Sequence, residues 1–278
     1  MNYKKKLFIF IFILIDIFVF EFYKIIKIGI FNDQYTQRIP IFTFHRLVPE
    51  DIKNKFFSND EFVGSIRIFD EMIKYLYDHG YKTISTNELY KWYIGEKEIP
   101  KKTVMITIDD GHYEDYYLVY PIIKKYNFKA LSFVIGNNIH NKTDSYNKYL
   151  DSYIGIDVIY KVREEYPFFE FQSHSFNMHY SWTDKGKIIR RIFNMSIDDL
   201  ENDVLLNDKY NFTSMSYPYG QFNEQIQEIL EDHGYLIAFR FECSSNYATK
   251  NNNMFAIPRI KLNGFANIYT LKKWLRGI

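Results

Sequence analysis

The stretch Val104-Met105-Ile106-Thr107-Ile108-Asp109-Asp110-Gly111 is a short apolar run that stops abruptly at two carboxylates and a glycine. Such a run reads as a buried strand, and adjacent carboxylates at its end repel each other unless a cation or separate duties keep them apart. Neighbouring side chains on a strand point to opposite sides, so the two aspartates can do different jobs, and Gly111 permits a sharp turn. A surface Asp-Asp-Gly turn has the same local pattern. Outward from this stretch, residues 39–44 read as a buried strand ending at His45. Further apolar runs fall at 130–135, 168–171, 213–217, 235–239 and 256–262. Ser58-Asn59-Asp60-Glu61 is a capping-box pattern, followed at helical spacing by Phe62, Ile66, Phe69, Ile73 and Leu76 up to Gly80. Ser85-Thr86-Asn87-Glu88 opens a second helix, and others are expected near 116–126, 157–165, 197–207, 223–233 and 267–276. Strands alternating with helices imply an α/β fold with parallel pairing, as a barrel or an open sheet.

In such folds the chemistry sits at the C-terminal ends of the strands, which is where His45, Asp109, Asp110, His174 and Tyr219 fall. His174 and His179 lie five residues apart across a strand-to-loop turn and can converge on one ion; a lone histidine pair is more often structural. With one aspartate they make a His₂Asp set that leaves a position open for water, as catalytic zinc-type sites require. Ser216-Tyr217-Pro218-Tyr219-Gly220 also follows a strand, and the Tyr219 amide could serve as an oxyanion donor; an ordinary Pro-Gly turn is the alternative.

Lys+Arg at 35 against Asp+Glu at 34 gives no field that would favour nucleic acid. The single cysteine, Cys243, excludes an internal disulfide and a Cys-rich metal cage. Lys4, Lys5 and Lys6 precede an apolar run from Leu7 to Phe20 that only Asp16 interrupts. Residues 1–30 therefore read as an uncleaved signal anchor or transmembrane helix with a cytoplasmic N-terminus, and residues 31–278 as one catalytic domain outside the membrane.

The three segments "TIDDG", "HSFNMH" and "YPYG", in this order, resemble the motifs of the polysaccharide deacetylases that share the NodB homology domain (carbohydrate esterase family 4), over roughly residues 38–262. Most members space the second-motif histidines four apart. Here Met178 intervenes and the second is His179, the spacing found in deacetylases acting on poly-β-1,6-N-acetylglucosamine. An early histidine in "FTFHRL", the segment "GYKTIS" and a late "PRI" are similar to the same group. The resemblance implies a distorted (β/α) barrel with about seven parallel strands. It implies that Asp110, His174 and His179 hold a divalent metal ion (Zn, or Co, Ni or Fe), that Asp109 is the general base and that His45 protonates the leaving amine. The Tyr219 backbone would stabilise the oxyanion, and Arg259 would orient Asp109 or simply form a core salt bridge. His112 stands where the family usually has tyrosine, either lining the cleft or exposed. The expected protein is a monomer bound to the cell membrane by its N-terminal segment, removing N-acetyl groups from an extracellular amino-sugar polysaccharide. A non-catalytic carbohydrate-binding relic and a deacylase of another amide are the alternatives.

Overall fold

The computed structural model describes residues 15–24, 34–143, 151–241 and 247–276. Within the expected anchor, residues 15–24 are helical and residues 1–14 and 25–30 lie outside the described residues, as does Cys243. No helix among the described residues is long and apolar enough to cross a membrane.

Eight strands form the main sheet: β1 (Ile41–Phe44), β2 (Lys82–Thr83), β3 (Thr103–Asp110), β4 (Ala130–Val134), β5 (Phe169–Ser173), β6 (Ser214–Ser216), β7 (Ile237–Phe239) and β8 (Ile260–Lys261). Seven run in the order β7-β6-β5-β4-β3-β1-β8, all parallel, and β2 pairs with the first residues of β3. Ile257 bridges Phe239 of β7 while Ile260 pairs with Phe42 of β1, so the segment around Pro258 joins the two ends of the curled sheet. The apolar run at 256–262 is thus divided between two partners, with Pro258, which has no N–H to donate, at the change. The result is the distorted parallel barrel expected from the motifs.

Alternation along the strands sets the layers. On β3, Val104, Ile106 and Ile108 pack in the larger apolar cluster under the helices, and Met105 belongs to a second cluster with Ile41, Leu131, Phe133, Ile237 and Phe239. Both faces are buried, as parallel sheets require. Burying an aliphatic or aromatic side chain of this kind contributes about 1.5–3 kcal/mol. The same parity carries Thr107 and Asp109 onto the inner face with Met105, and Thr43 and His45 onto it with Ile41. Thr43 and Thr107 lie 3.0 Å apart, oxygen to oxygen, in the layer beneath the site.

Besides the helical residues 15–24, eight α-helices are present among the described residues: α1 (Glu50–Phe56), α2 (Ile66–Asp78), α3 (Thr86–Tyr93), α4 (Tyr120–Lys125), α5 (Ile156–Glu165), α6 (Ile197–Leu205), α7 (Glu224–Asp232) and α8 (Ile268–Leu275). The capping box at Ser85 forms, with Ser85 accepting from Glu88 N–H and Glu88 accepting from Ser85 N–H. The one expected at Ser58 does not. Val63–Ser65 pairs as a strand with Arg46–Val48, so α2 starts only at Ile66. A hairpin, Ser181–Asp184 with Lys187–Arg190, was not anticipated; it turns at Lys185 and Gly186, both at positive φ.

Candidate active site

Three loops at the C-terminal end of the barrel carry the candidate residues, and each contains a non-glycine residue in the left-handed region: Asp110 (φ 85°), Ser175 (φ 64°) and Tyr219 (φ 58°). Backbone strain of this kind costs about 1–3 kcal/mol per residue and gathers where function demands a particular geometry. At Asp110 it redirects the chain. Strand parity alone would place that carboxylate with Ile108 on the helix-facing side; instead its Oδ1 lies 3.5 Å from His174 Nε2 and 3.4 Å from His179 Nε2. Gly111 follows at φ 70°, and a Cβ there would meet Val134 at 2.7 Å, so only glycine fits.

Asp110, His174 and His179 present ligand atoms all within 4.8 Å of one another. Their chemistry fits a divalent ion. His174 Nδ1 lies 2.8 Å from the Ser216 carbonyl and donates to it, which turns Nε2, the ring's other ligand atom, towards Asp110. Asp110 Oδ1 is buried and has no hydrogen-bond partner, as a ligand oxygen would be. Burial pushes Asp110 up, but the imidazoles of His174, His45 and His179 outweigh it and hold the carboxyl well below its usual range. Burial and the neighbouring His174 bring His179 down to about 4, so its ring is neutral and able to ligate at pH 7.

Asp109 points the other way. Arg259, fully buried, grips it through two bonds of 2.7 Å and also donates to Ser216 Oγ at 2.6 Å. Burial alone would raise the Asp109 pKa; the Arg259 guanidinium reverses that and keeps the carboxylate ionised. The two neighbouring aspartates therefore have separate surroundings within one cleft, and the positive φ of Asp110, rather than strand alternation, divides them. His45 faces the same cleft, its ring edge-on to Phe62 (5.0 Å) and Phe241 (5.6 Å), and burial holds its pKa below the ordinary value. The Tyr219 hydroxyl donates to the His179 carbonyl at 2.7 Å and its ring lies 4.7 Å from that imidazole. The cleft, about 320 Å³, brings together His45, Asp109, Asp110, His174, His179 and Tyr219. Arg259 lies beneath it. His112 neither lines the cleft nor is exposed: its ring stacks on Tyr153 at 5.3 Å and its Nε2 is 3.9 Å from Asp110 Oδ2.

Sequence reasoning missed several contributors. Ser216 and Thr107 both contact Arg259 and were legible from strand parity. Phe62, Phe241 and Arg190 line the cleft from outside the three motifs, and Tyr217, inside the YPYG motif, lines it although no role was read for it there. Asp203 on α6 accepts the N–H groups of Phe176 and Asn177 at 2.7 Å each, pinning the loop between the two histidines. Burial outweighs these bonds and raises Asp203 to about 6 from 3.8. A carboxyl whose folded-state pKa is raised contributes stability that is complete below about pH 4 and is lost as the pH rises through about 6. That rise corresponds to about 3 kcal/mol. In Asp203→Asn the difference in unfolding free energy between pH 4 and pH 7 should shift by about that amount relative to the parent. Denaturant titrations at both pH values check it, and an unchanged difference refutes it.

The polysaccharide deacetylase family model matches residues 96–238, just over half of the chain. A poly-β-1,6-N-acetyl-D-glucosamine N-deacetylase of Staphylococcus aureus is 27% identical over 246 residues, covering 83% of this chain and 81% of that protein. Among solved structures, a Streptococcus pyogenes deacetylase in complex with acetate superposes with a TM-score of 0.70 at 20% identity, covering 86% of this chain and 98% of that one. A de-N-acetylase from Aggregatibacter actinomycetemcomitans gives 0.68 at 18% identity, covering 85% and 99%. At these identities the two structures establish the fold, and the family model, matching across Asp109, Asp110, His174, His179 and Tyr219, establishes that this chain belongs to the polysaccharide deacetylase family.

Proposed function

We propose that this protein is a metal-dependent N-deacetylase acting on a poly-N-acetylglucosamine-like polysaccharide outside the cell membrane. The observation that carries the reading is the convergence of Asp110, His174 and His179 on one point beside an Asp109 that Arg259 holds ionised. The substrate class is supported by the Staphylococcus aureus relative and by the five-residue histidine spacing. The membrane location is supported by the lysine-led apolar run at the N-terminus.

A divalent ion held by Asp110, His174 and His179 would acidify a water molecule and polarise the acetamide carbonyl. Asp109 accepts the proton of the attacking water, and Arg259 fixes the direction from which it does so. The Tyr219 N–H donates to the oxygen that becomes negative as the carbonyl carbon turns tetrahedral. His45 passes a proton to the amide nitrogen, the C–N bond breaks, and acetate and a free amine leave. With its pKa held low by burial, His45 is a strong acid once protonated.

Acetate release from poly-N-acetylglucosamine by the purified full-length protein is the direct test. Release should stop on chelation and return with Zn²⁺, Co²⁺, Ni²⁺ or Fe²⁺, and the activity should sediment with membranes. A metal-free preparation at full rate, or no release with any ion, refutes the proposal.

A further inference from the structure

Arg190 is a cation in the cleft for which the proposed hydrolysis has no use. It ends the second strand of the hairpin, opposite Ser181, and the Arg191 N–H to Tyr180 carbonyl bond closes the hairpin just beyond it. Its half-buried side chain lines the cleft together with both aspartates and with His45, His174 and His179, and its guanidinium lies 4.4 Å over the Tyr219 ring. Among the described residues no carboxylate pairs with it. Arg259, by contrast, is fully buried and committed to Asp109. Stacking on Tyr219 fixes the guanidinium plane while leaving donors at its edge for something that enters the cleft.

An amino-sugar polymer offers two kinds of neighbouring unit to such a group. A unit that is still acetylated presents a carbonyl oxygen, which a guanidinium binds. A unit that has already been processed presents an ammonium, which a guanidinium repels. We infer that Arg190 is a specificity-determining residue that reads the acetylation state of the unit next to the scissile one, favouring an acetylated neighbour and rejecting a free amine. This rests on the N-deacetylase reading above and adds to it a rule for the product: successive hydrolyses are spaced along the chain and adjacent free amines are disfavoured. The reaction creates the repelling charge itself, so the enzyme slows on its own product without a separate regulatory site.

The test uses the full-length, metal-loaded protein and two short oligomers of N-acetylglucosamine. One oligomer is fully acetylated and the other carries a single free amine next to an acetylated unit. Acetate release gives kcat/KM, and mass spectrometry of the products locates the new amines. The parent should prefer the fully acetylated oligomer by about 3–10-fold, the range between an exposed and a partly shielded charge pair. The preference should fall towards unity at roughly 0.5 M salt, where screening shortens to about 4 Å. Arg190→Gln should abolish the preference with metal content and melting unchanged, and Arg190→Lys should keep part of it. Equal rates on both oligomers for the parent, or a preference that survives Arg190→Gln, overturn the inference and leave the N-deacetylase reading standing. A loss in Arg190→Gln that is equal on both oligomers makes the residue a support for Tyr219 and overturns it as well. Failure of the parent to release acetate from either oligomer is the separate failure of the reading beneath it.

Discussion

Replacing Asp109 with asparagine is expected to lower kcat by about 10²–10⁴-fold, the usual worth of a general base, while metal content stays near that of the parent. The expectation comes from the division of labour at the strand end. Asp109 faces Arg259 and Ser216, and Asp110 faces the two imidazoles. Asp110→Asn should instead weaken metal binding, because an amide oxygen is a poorer ligand than a carboxylate. His45→Ala should resemble Asp109→Asn, with the ion retained and turnover lost. Because burial holds His45 below its ordinary pKa, its acid form fades early as the pH rises, and the parent should show an alkaline limb in its rate that the variant lacks. The losses will not add, since the groups act on one reaction centre. Metal analysis and pH–rate profiles of the three purified variants decide the matter. If Asp109→Asn loses the ion and Asp110→Asn keeps it, the two roles are exchanged.

Arg259→Met is expected to be the most damaging change to stability. The pair with Asp109 is fully buried on both sides, so removing the guanidinium leaves a charge in the barrel with no counterion. Breaking one side of such a pair costs about 3–5 kcal/mol, which in a domain of this size lowers Tm by roughly 6–20 °C. Arg259 also donates to Ser216 Oγ and Thr107 Oγ1, so these hydroxyls lose a partner at the same time. Asp109→Asn in the same background removes the stranded charge and should recover part of the loss, though not the activity. Thermal melts of the parent, the single variant and the double variant test this. A melt of Arg259→Met within 2–3 °C of the parent would show that the site relaxes around the aspartate and that the pair does little for the fold.

The order of strands and helices was legible in the chain because it depends on periodicities spanning only a few residues. The buried run at 104–108, the amphipathic spacing through Phe69, Ile73 and Leu76, and the Ser85–Glu88 capping box all recur in the structure. The helix start at Ser58 failed for a non-local reason: Val63–Ser65 is drawn into pairing with Arg46–Val48, and tertiary pairing overrides a cap pattern worth about 1 kcal/mol.

By itself, then, the sequence determined the α/β alternation, the strand ends at which polar residues collect, and the identity of the Asp-Asp, His-His and Tyr-Pro-Tyr-Gly segments. Only the tertiary structure decided how these meet. Asp109 and Arg259 are 150 residues apart and form a bidentate pair because β8 lies next to β1 and β1 next to β3. The turn of Asp110 towards His174 depends on a positive φ that no residue type announces, and Arg190 reaches the cleft from a hairpin whose register is set by a two-residue turn. Local propensities act between near neighbours along the chain, whereas a site is made by long-range pairing and by backbone strain that the surrounding core sustains.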